Sequence, residues 1–179
     1  MEYLIRKANL DDCKKIRKLI ALSARELSAQ DYTHEQIEGA LQGAFGVDTQ
    51  LIKDGTYFVV EVSKGIIGCG GWSRRKTLFG GDGQEKRDSS ELDPKKDSAK
   101  IRAFFVHPDW ARKGIGRAIL EKCESEAALC GFHSLELMAT LPGERFYSAC
   151  GFAGSKRIRY ELPSRVIIEF IPMKKMLPA

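Results

Sequence analysis

The chain has 179 residues, 43% hydrophobic and 30% charged, the composition of an ordinary folded domain rather than a disordered or fibrous one. No run of about 18 apolar residues is present, so no membrane-spanning helix is expected. The opening Met1-Glu2-Tyr3-Leu4-Ile5-Arg6 lacks a leader pattern, and a cytoplasmic location is expected. Net charge is +5, from 29 basic and 24 acidic residues spread along the chain. Nucleic-acid binders show a sharper basic stripe with interleaved aromatics, so that class is set aside, while a mild positive balance suits an anionic ligand. The five cysteines (13, 69, 123, 130 and 150) form no CxxC pair, so neither a zinc site nor a disulfide framework is indicated.

Tyr3 to Ala8 reads as a first strand. Asn9 or Asp11 can cap a first helix, in which Ile16, Leu19, Ile20 and Leu27 keep a helical period. A second helix starts near Thr33, where Thr33 and Gln36 form a capping-box pattern. Thr56 to Val62 and Ile66 to Trp72 read as strands joined by the turn Ser63-Lys64-Gly65. Gly68, Gly70 and Gly71 inside the second strand point to a bulge or a close backbone approach.

Residues 73–98 are polar and lack periodicity, with Arg74-Arg75-Lys76 and Lys95-Lys96 as basic runs. The segment reads as a partly mobile loop inserted between two sheet strands. Its apolar Thr77-Leu78-Phe79 is expected to pack down. Next come a strand (100–106), a long helix (about 114–130), a strand (134–139) and a short helix (about 143–149). Two closing strands, near 153–161 and 165–174, flank a Pro163-Ser164 turn and could pair two copies of the chain. This order predicts a mixed α/β sheet of about seven strands with about four helices on its two faces, in a single domain over 1–179.

The most informative stretch runs from Val106 to Leu120: Val106-His107-Pro108-Asp109-Trp110-Ala111-Arg112-Lys113-Gly114-Ile115-Gly116-Arg117, then Ala118-Ile119-Leu120. A strand runs into a glycine-punctuated basic turn that opens a helix. Free N–H groups at a helix N-terminus carry about half a positive charge. Gly114 and Gly116 admit an anion to the backbone, and Arg112, Lys113 and Arg117 add full charges. The nucleoside-triphosphate loop needs a longer glycine spacing and then Lys-Ser/Thr, which is absent. The dinucleotide fingerprint needs a third glycine where Ile119 stands. On the turn alone, a pyrophosphate cradle and a tight strand–helix turn with solvated charges are equally served.

The strand-Val-x-Pro-x-basic-Gly-x-Gly segment resembles the acyl-CoA-binding motif of the GNAT superfamily of N-acetyltransferases. Glu144-Arg145-Phe146-Tyr147-Ser148-Ala149-Cys150-Gly151-Phe152 resembles that family's next helix. Three residues before Gly114 the family usually has Gln or Arg; here it is Ala111, with Arg112 beside it. The resemblance implies acetyl-CoA as cofactor. Its pyrophosphate would lie on Arg112, Lys113, Gly114, Ile115, Gly116 and Arg117, and its pantetheine arm on the backbone of Phe105 and Val106. It also implies transfer to an amine, by default the primary amine of a small molecule. A protein lysine or N-terminus is the alternative, and a non-catalytic acyl-CoA sensor is a reading of another class.

Tyr147 falls where the family often places a tyrosine facing the sulfur, and a phenol with a pKa of about 10 can donate a proton to a leaving thiolate. A lysine-like amine is almost wholly protonated at pH 7, so something must take its proton. The strand Ile101–Val106 offers no acid. Glu136, between Leu135 and Leu137, is the candidate base, with an outward-facing charge as the equal alternative; His107 and Glu61 stand behind it. Trp72 ends a strand that in this family borders the acceptor pocket, and core burial serves it equally.

Overall fold

The computed structural model describes residues 2–84 and 87–178, so the two central positions of the 73–98 insertion, Glu85 and Lys86, lie outside the described residues. In chain order the elements are β1 (Leu4–Lys7), α1 (Cys13–Leu27), α2 (His34–Ala40), α3 (Thr49–Lys53), β2 (Tyr57–Val62), β3 (Gly65–Ser73), β4 (Ala99–Val106), α4 (Ile115–Leu129), β5 (Ser134–Thr140), α5 (Glu144–Ala149), β6 (Ile158–Glu161) and β7 (Ile167–Met176). The seven strands form one sheet in the order β1-β2-β3-β4-β5-β7-β6. Among the described residues only the β4–β5 contact is parallel; the others are antiparallel.

Local signals place most elements. Helix α1 buries Ile16, Leu19, Ile20, Ser23 and Ala24, one face at helical spacing. The capping box of α2 is formed in both directions: the Gln36 amide donates to the Thr33 hydroxyl at 3.2 Å, and the Thr33 amide donates to the Gln36 side chain at 2.9 Å. Strand β2 is buried on both faces, with Phe58 and Val60 turned toward α4 and Tyr57 and Val59 toward α1. The core therefore has two layers. Ile115, Ile119, Leu135 and Leu137 join Phe58 and Val60 in one; Ile16, Ile20, Leu51 and Ile168 join Tyr57 and Val59 in the other.

The mixed sheet with helices on both faces stands, but the described residues form five α-helices, because the five-residue α3 is too short to show a period. Its N-terminus is held by Asp48, which accepts from the Gln50 amide at 3.1 Å. Strand β6 begins at Ile158; before it the chain meets β7 at an Ala153–Lys174 bridge and through an Arg157–Glu169 ion pair.

The insertion is anchored at several points. Arg75 forms a two-pronged pair with Asp54 at 2.7 and 2.9 Å. The Gly81 and Asp82 amides donate to the carbonyls of Gly43 and Val47. Thr77 is buried as expected, and Phe79 packs edge-on to Tyr160 at 5.0 Å and against Phe170 at 5.5 Å.

Candidate active site

Strands β4 and β5 share only two register pairs, Ala99 with Leu135 and Lys100 with Glu136. On its other side β4 stays paired with β3 as far as Val106, opposite Gly68. From Arg102 to Val106, then, one edge of β4 has no strand partner among the described residues. The two parallel strands diverge into a slot whose wall is backbone. Phe104, Phe105 and Val106 on that wall are half-buried.

The divergence starts at an irregularity. Cys69 pairs with Phe105 and Gly71 with Arg102, so Gly70 opposes both Ala103 and Phe104. This is a β-bulge. Ala103 sits at φ 54, in the left-handed region, which costs a residue with a Cβ roughly 1–2 kcal/mol. Of the bulge or close approach expected at the glycines of β3, these positions show close approach, with the bulged residues opposite on β4: a Cβ on Gly68 would lie 2.6 Å from Ile115, and one on Gly70 would lie 2.6 Å from the Phe104 ring.

Beyond Val106 the chain turns over a short 3-10 segment, Pro108–Trp110, capped by His107, whose Nδ1 accepts from the Asp109 amide at 3.2 Å. Arg112 (φ 61) and Gly114 (φ 83) are both left-handed, and α4 starts at Ile115 with no side-chain cap. The first-turn amides of α4 are therefore free to receive an acceptor atom. No atom lies within 4 Å of a Cβ built on Gly114, so the hollow above it is open; a Cβ on Gly116 would meet the Phe146 ring at 3.1 Å. Arg112, Lys113 and Arg117 are exposed around this hollow. Lys113 lies over Trp110 at 5.4 Å, and Arg117 donates to the Ala149 carbonyl at 3.3 Å. Ile115 turns its side chain into the core and leaves only its amide. An open, glycine-lined, uncapped helix start at the mouth of a backbone-walled slot fits a pyrophosphate carrying a long thin arm.

Tyr147 on α5 is 9% exposed and packs edge-on to Phe104, Phe146 and Phe152. Burial raises its pKa above that of an ordinary phenol, so the proton stays on oxygen. Phe104 is the second residue of the bulge, which links the slot wall to the Tyr147 ring.

Glu136 sits at the closed end of the slot and is ion-paired with Lys100, its register partner. Burial lowers the pKa of Lys100, so the cation facing Glu136 is itself weakened. Glu61 is held by Arg6 at 2.9 Å. His107 borders a different hollow, a cavity of about 480 Å³ between α1 and the β2–β3 hairpin, lined also by Lys15, Lys18 and Lys64.

Trp72 does not border the slot. It is 1% exposed beneath α4, its Nε1 donates to Glu126 at 3.3 Å, and its ring meets Phe132 edge-on. The expected contact with an acceptor is corrected to core packing. The physical reason is that Trp72 lies on the same face of β3 as Gly68 and Gly70, the face that α4 covers.

Three features around the site carry no local sequence signal. Tyr57, fully buried on β2, donates to the Ala103 carbonyl at 3.1 Å. Tyr32, between α1 and α2, accepts from the Leu141 amide at 2.9 Å and donates to the Glu169 carbonyl at 2.6 Å, tying that turn to the end of β5 and to β7. Asp48, with no exposed surface, is shared by Arg102 (2.7 Å) and Arg87 (2.8 Å). The basic runs of the insertion are met by acids in place: Arg74 by Glu91, Lys76 by Asp88 and Lys96 by Asp93.

Residues 53–153, more than half the chain, match the family model described as acetyltransferase (GNAT) domain. The chain belongs to the GNAT acetyltransferase family. It is accordingly an acyltransferase. Solved GNAT structures share its fold across their whole length. One is a GCN5-related N-acetyltransferase from Rhodopseudomonas palustris (TM-score 0.73, 17% identity, covering 99% of this chain and 97% of that one). Another is the PaiA N-acetyltransferase from Thermoplasma acidophilum in complex with coenzyme A (0.66, 15%, 98% and 99%). A third is the ribosomal-protein-S18-alanine N-acetyltransferase from Escherichia coli (0.61, 15%, 99% and 96%). At these identities the likeness is one of fold. No curated protein sequence matches the chain.

Proposed function

We propose that the chain acts as one catalytic domain that transfers an acetyl group from acetyl-CoA to the primary amine of a small molecule, by direct attack within a ternary complex. The observation that carries this reading is the slot between β4 and β5, which opens at one end onto the uncapped, glycine-lined start of α4. Gly114, Gly116 and the first-turn amides of α4 would hold the pyrophosphate, with Arg112, Lys113 and Arg117 around it. The unpaired edge of β4 near Phe105 and Val106 would take the pantetheine amides as a strand takes a partner. Bound there, acetyl-CoA supplies an activated thioester.

Tyr147 is the proposed proton donor to the departing sulfur. Its burial keeps the phenol protonated. Glu136 is the proposed proton acceptor for the amine, directly or through water, from its place at the fork beside a desolvated Lys100. A covalent acyl-enzyme is disfavoured: burial pushes the Cys69 thiol up to about 12 and raises that of Cys150, so neither is a ready thiolate.

The rim on the α1 side supports a small acceptor. Gln36 donates to the Ile167 carbonyl at 2.8 Å and Tyr32 to that of Glu169, closing α1–α2 onto β7. Phe79 from the insertion packs on Tyr160 and Phe170 beside them. A long polypeptide has less room to cross such a rim than a metabolite has to enter it. One observation favours the sensor reading instead: the carboxylate at the fork is already ion-paired.

Calorimetry with acetyl-CoA, on wild type and Gly116→Glu, tests the cofactor. Micromolar binding abolished by the variant supports the cradle, and absence of binding by wild type overturns the reading. Turnover over an amine panel then separates transferase from sensor.

A further inference from the structure

The bulge in β4 is where the slot begins, and its first residue is strained. Ala103 carries a Cβ at φ 54, and no turn or glycine relieves it. Left to itself, such a residue returns to the extended region, and β4 straightens. A straight β4 could extend its parallel pairing with β5 beyond Lys100–Glu136, and the slot would close from its fork.

Tyr57 opposes that relaxation. It lies on β2, two strands from β4, and its ring crosses β3 to reach the bulge. The crossing is open because its register partner is Gly71: a Cβ there would lie 2.7 Å from the Tyr57 ring. The hydroxyl then donates to the Ala103 carbonyl at 3.1 Å, and the Cys69 thiol reaches the same oxygen at 3.8 Å. Both donors are fully buried, and burial keeps both protonated. On the opposite face of the sheet, Gly70 leaves space for the Phe104 ring, the other bulge residue, which packs against Tyr147 at 6.3 Å. The Gly70-Gly71 pair is thus explained: each glycine makes room for one aromatic ring, one from each neighbouring strand.

We propose that Tyr57 is a positioning residue whose hydroxyl, through the Ala103 carbonyl, holds the bulge that parts β4 from β5 and keeps the acyl-CoA slot open. The role in ligand binding rests on the acyl-CoA reading of the slot; the lock on the backbone does not.

The test compares wild type, Tyr57→Phe and Tyr57→Phe/Ala103→Gly by amide hydrogen exchange without ligand and by calorimetry with acetyl-CoA. Tyr57→Phe removes one oxygen and keeps the ring. The expected result is slower exchange across 102–106 as pairing with β5 extends, and an acetyl-CoA affinity at least tenfold weaker. Glycine holds a positive φ without a Cβ penalty, so the double variant should recover affinity to within threefold of wild type. A Tyr57→Phe protein with unchanged exchange in 102–106 overturns the lock. So does one that only melts at lower temperature, binds acetyl-CoA as wild type does and gains nothing from Ala103→Gly. If wild type does not bind acetyl-CoA, the functional reading fails, while the exchange comparison still decides whether Tyr57 holds the bulge.

Discussion

Arg102 and Asp48 face each other at 2.7 Å with almost no exposed surface on either side chain. Arg102 belongs to β4 at the fork of the slot and Asp48 to the cap of α3. Arg102 also donates to the carbonyls of Thr77 and Gly80 in the insertion. One guanidinium therefore joins sheet, helix cap and insertion.

Removing one partner of a buried pair strands the other charge, typically at a cost of about 3–5 kcal/mol. Asp48→Ala should lose about that much stability in urea unfolding and make 77–84 readily cleaved in limited proteolysis. Arg25→Ala, which breaks an exposed pair with Glu38, should leave both unchanged.

Tyr147→Phe keeps the ring among Phe104, Phe146 and Phe152 and removes only the hydroxyl. A thiol leaves fairly well unaided, so kcat should fall about tenfold to a hundredfold rather than vanish, with the acetyl-CoA Kd unchanged. Steady-state kinetics alongside calorimetry checks both halves. A kcat near wild type removes Tyr147 from the proton transfer.

The two glycines of the loop should respond differently to alanine. Gly114 has open space around it but φ 83, so Gly114→Ala should cost roughly 1–2 kcal/mol in stability through backbone strain. Gly116 has ordinary helical geometry, but its added Cβ meets the Phe146 ring at 3.1 Å. Gly116→Ala should therefore act mainly by displacing that ring. Melting temperatures and acetyl-CoA affinities of the two variants separate the causes.

Acid should destabilise the protein by a predictable route. The Arg6 guanidinium holds Asp12 below its ordinary pKa, and Arg75 does the same for Asp54. Both carboxyls bind protons more weakly folded than unfolded, so their contribution is present above about pH 4 and lost as pH falls through the folded values. Thermal unfolding between pH 7 and pH 2.5 should show this decline, and Asp12→Asn with Asp54→Asn should flatten it.

What was legible in the sequence was local. The Thr33–Gln36 capping box, the apolar face of α1 and the glycine spacing at 114 and 116 each depend on neighbours within a turn. What was not legible depends on register. Trp72 is buried because α4 crosses its face of β3, a placement that no local spacing marks. The Lys100–Glu136 pair exists only because two strands 36 residues apart run parallel in one alignment. Asp48 reads as a loop acid until Arg102 and Arg87 come to it from 54 and 39 positions away. The Tyr57–Ala103 contact reaches across an intervening strand, beyond any pattern of spacing.

The sheet's backbone is stitched between β4 and β5 at only two places, so its ladder is two leaves, β1 to β4 and β5 to β6, meeting at a short seam. A molecule that takes hydrogen bonds along the open edge becomes a rung in that seam. Ligand binding would then be felt as mechanical continuity: strands on opposite sides would begin to resist opening together, and force applied across the leaves would find them joined by the cofactor as much as by the polypeptide.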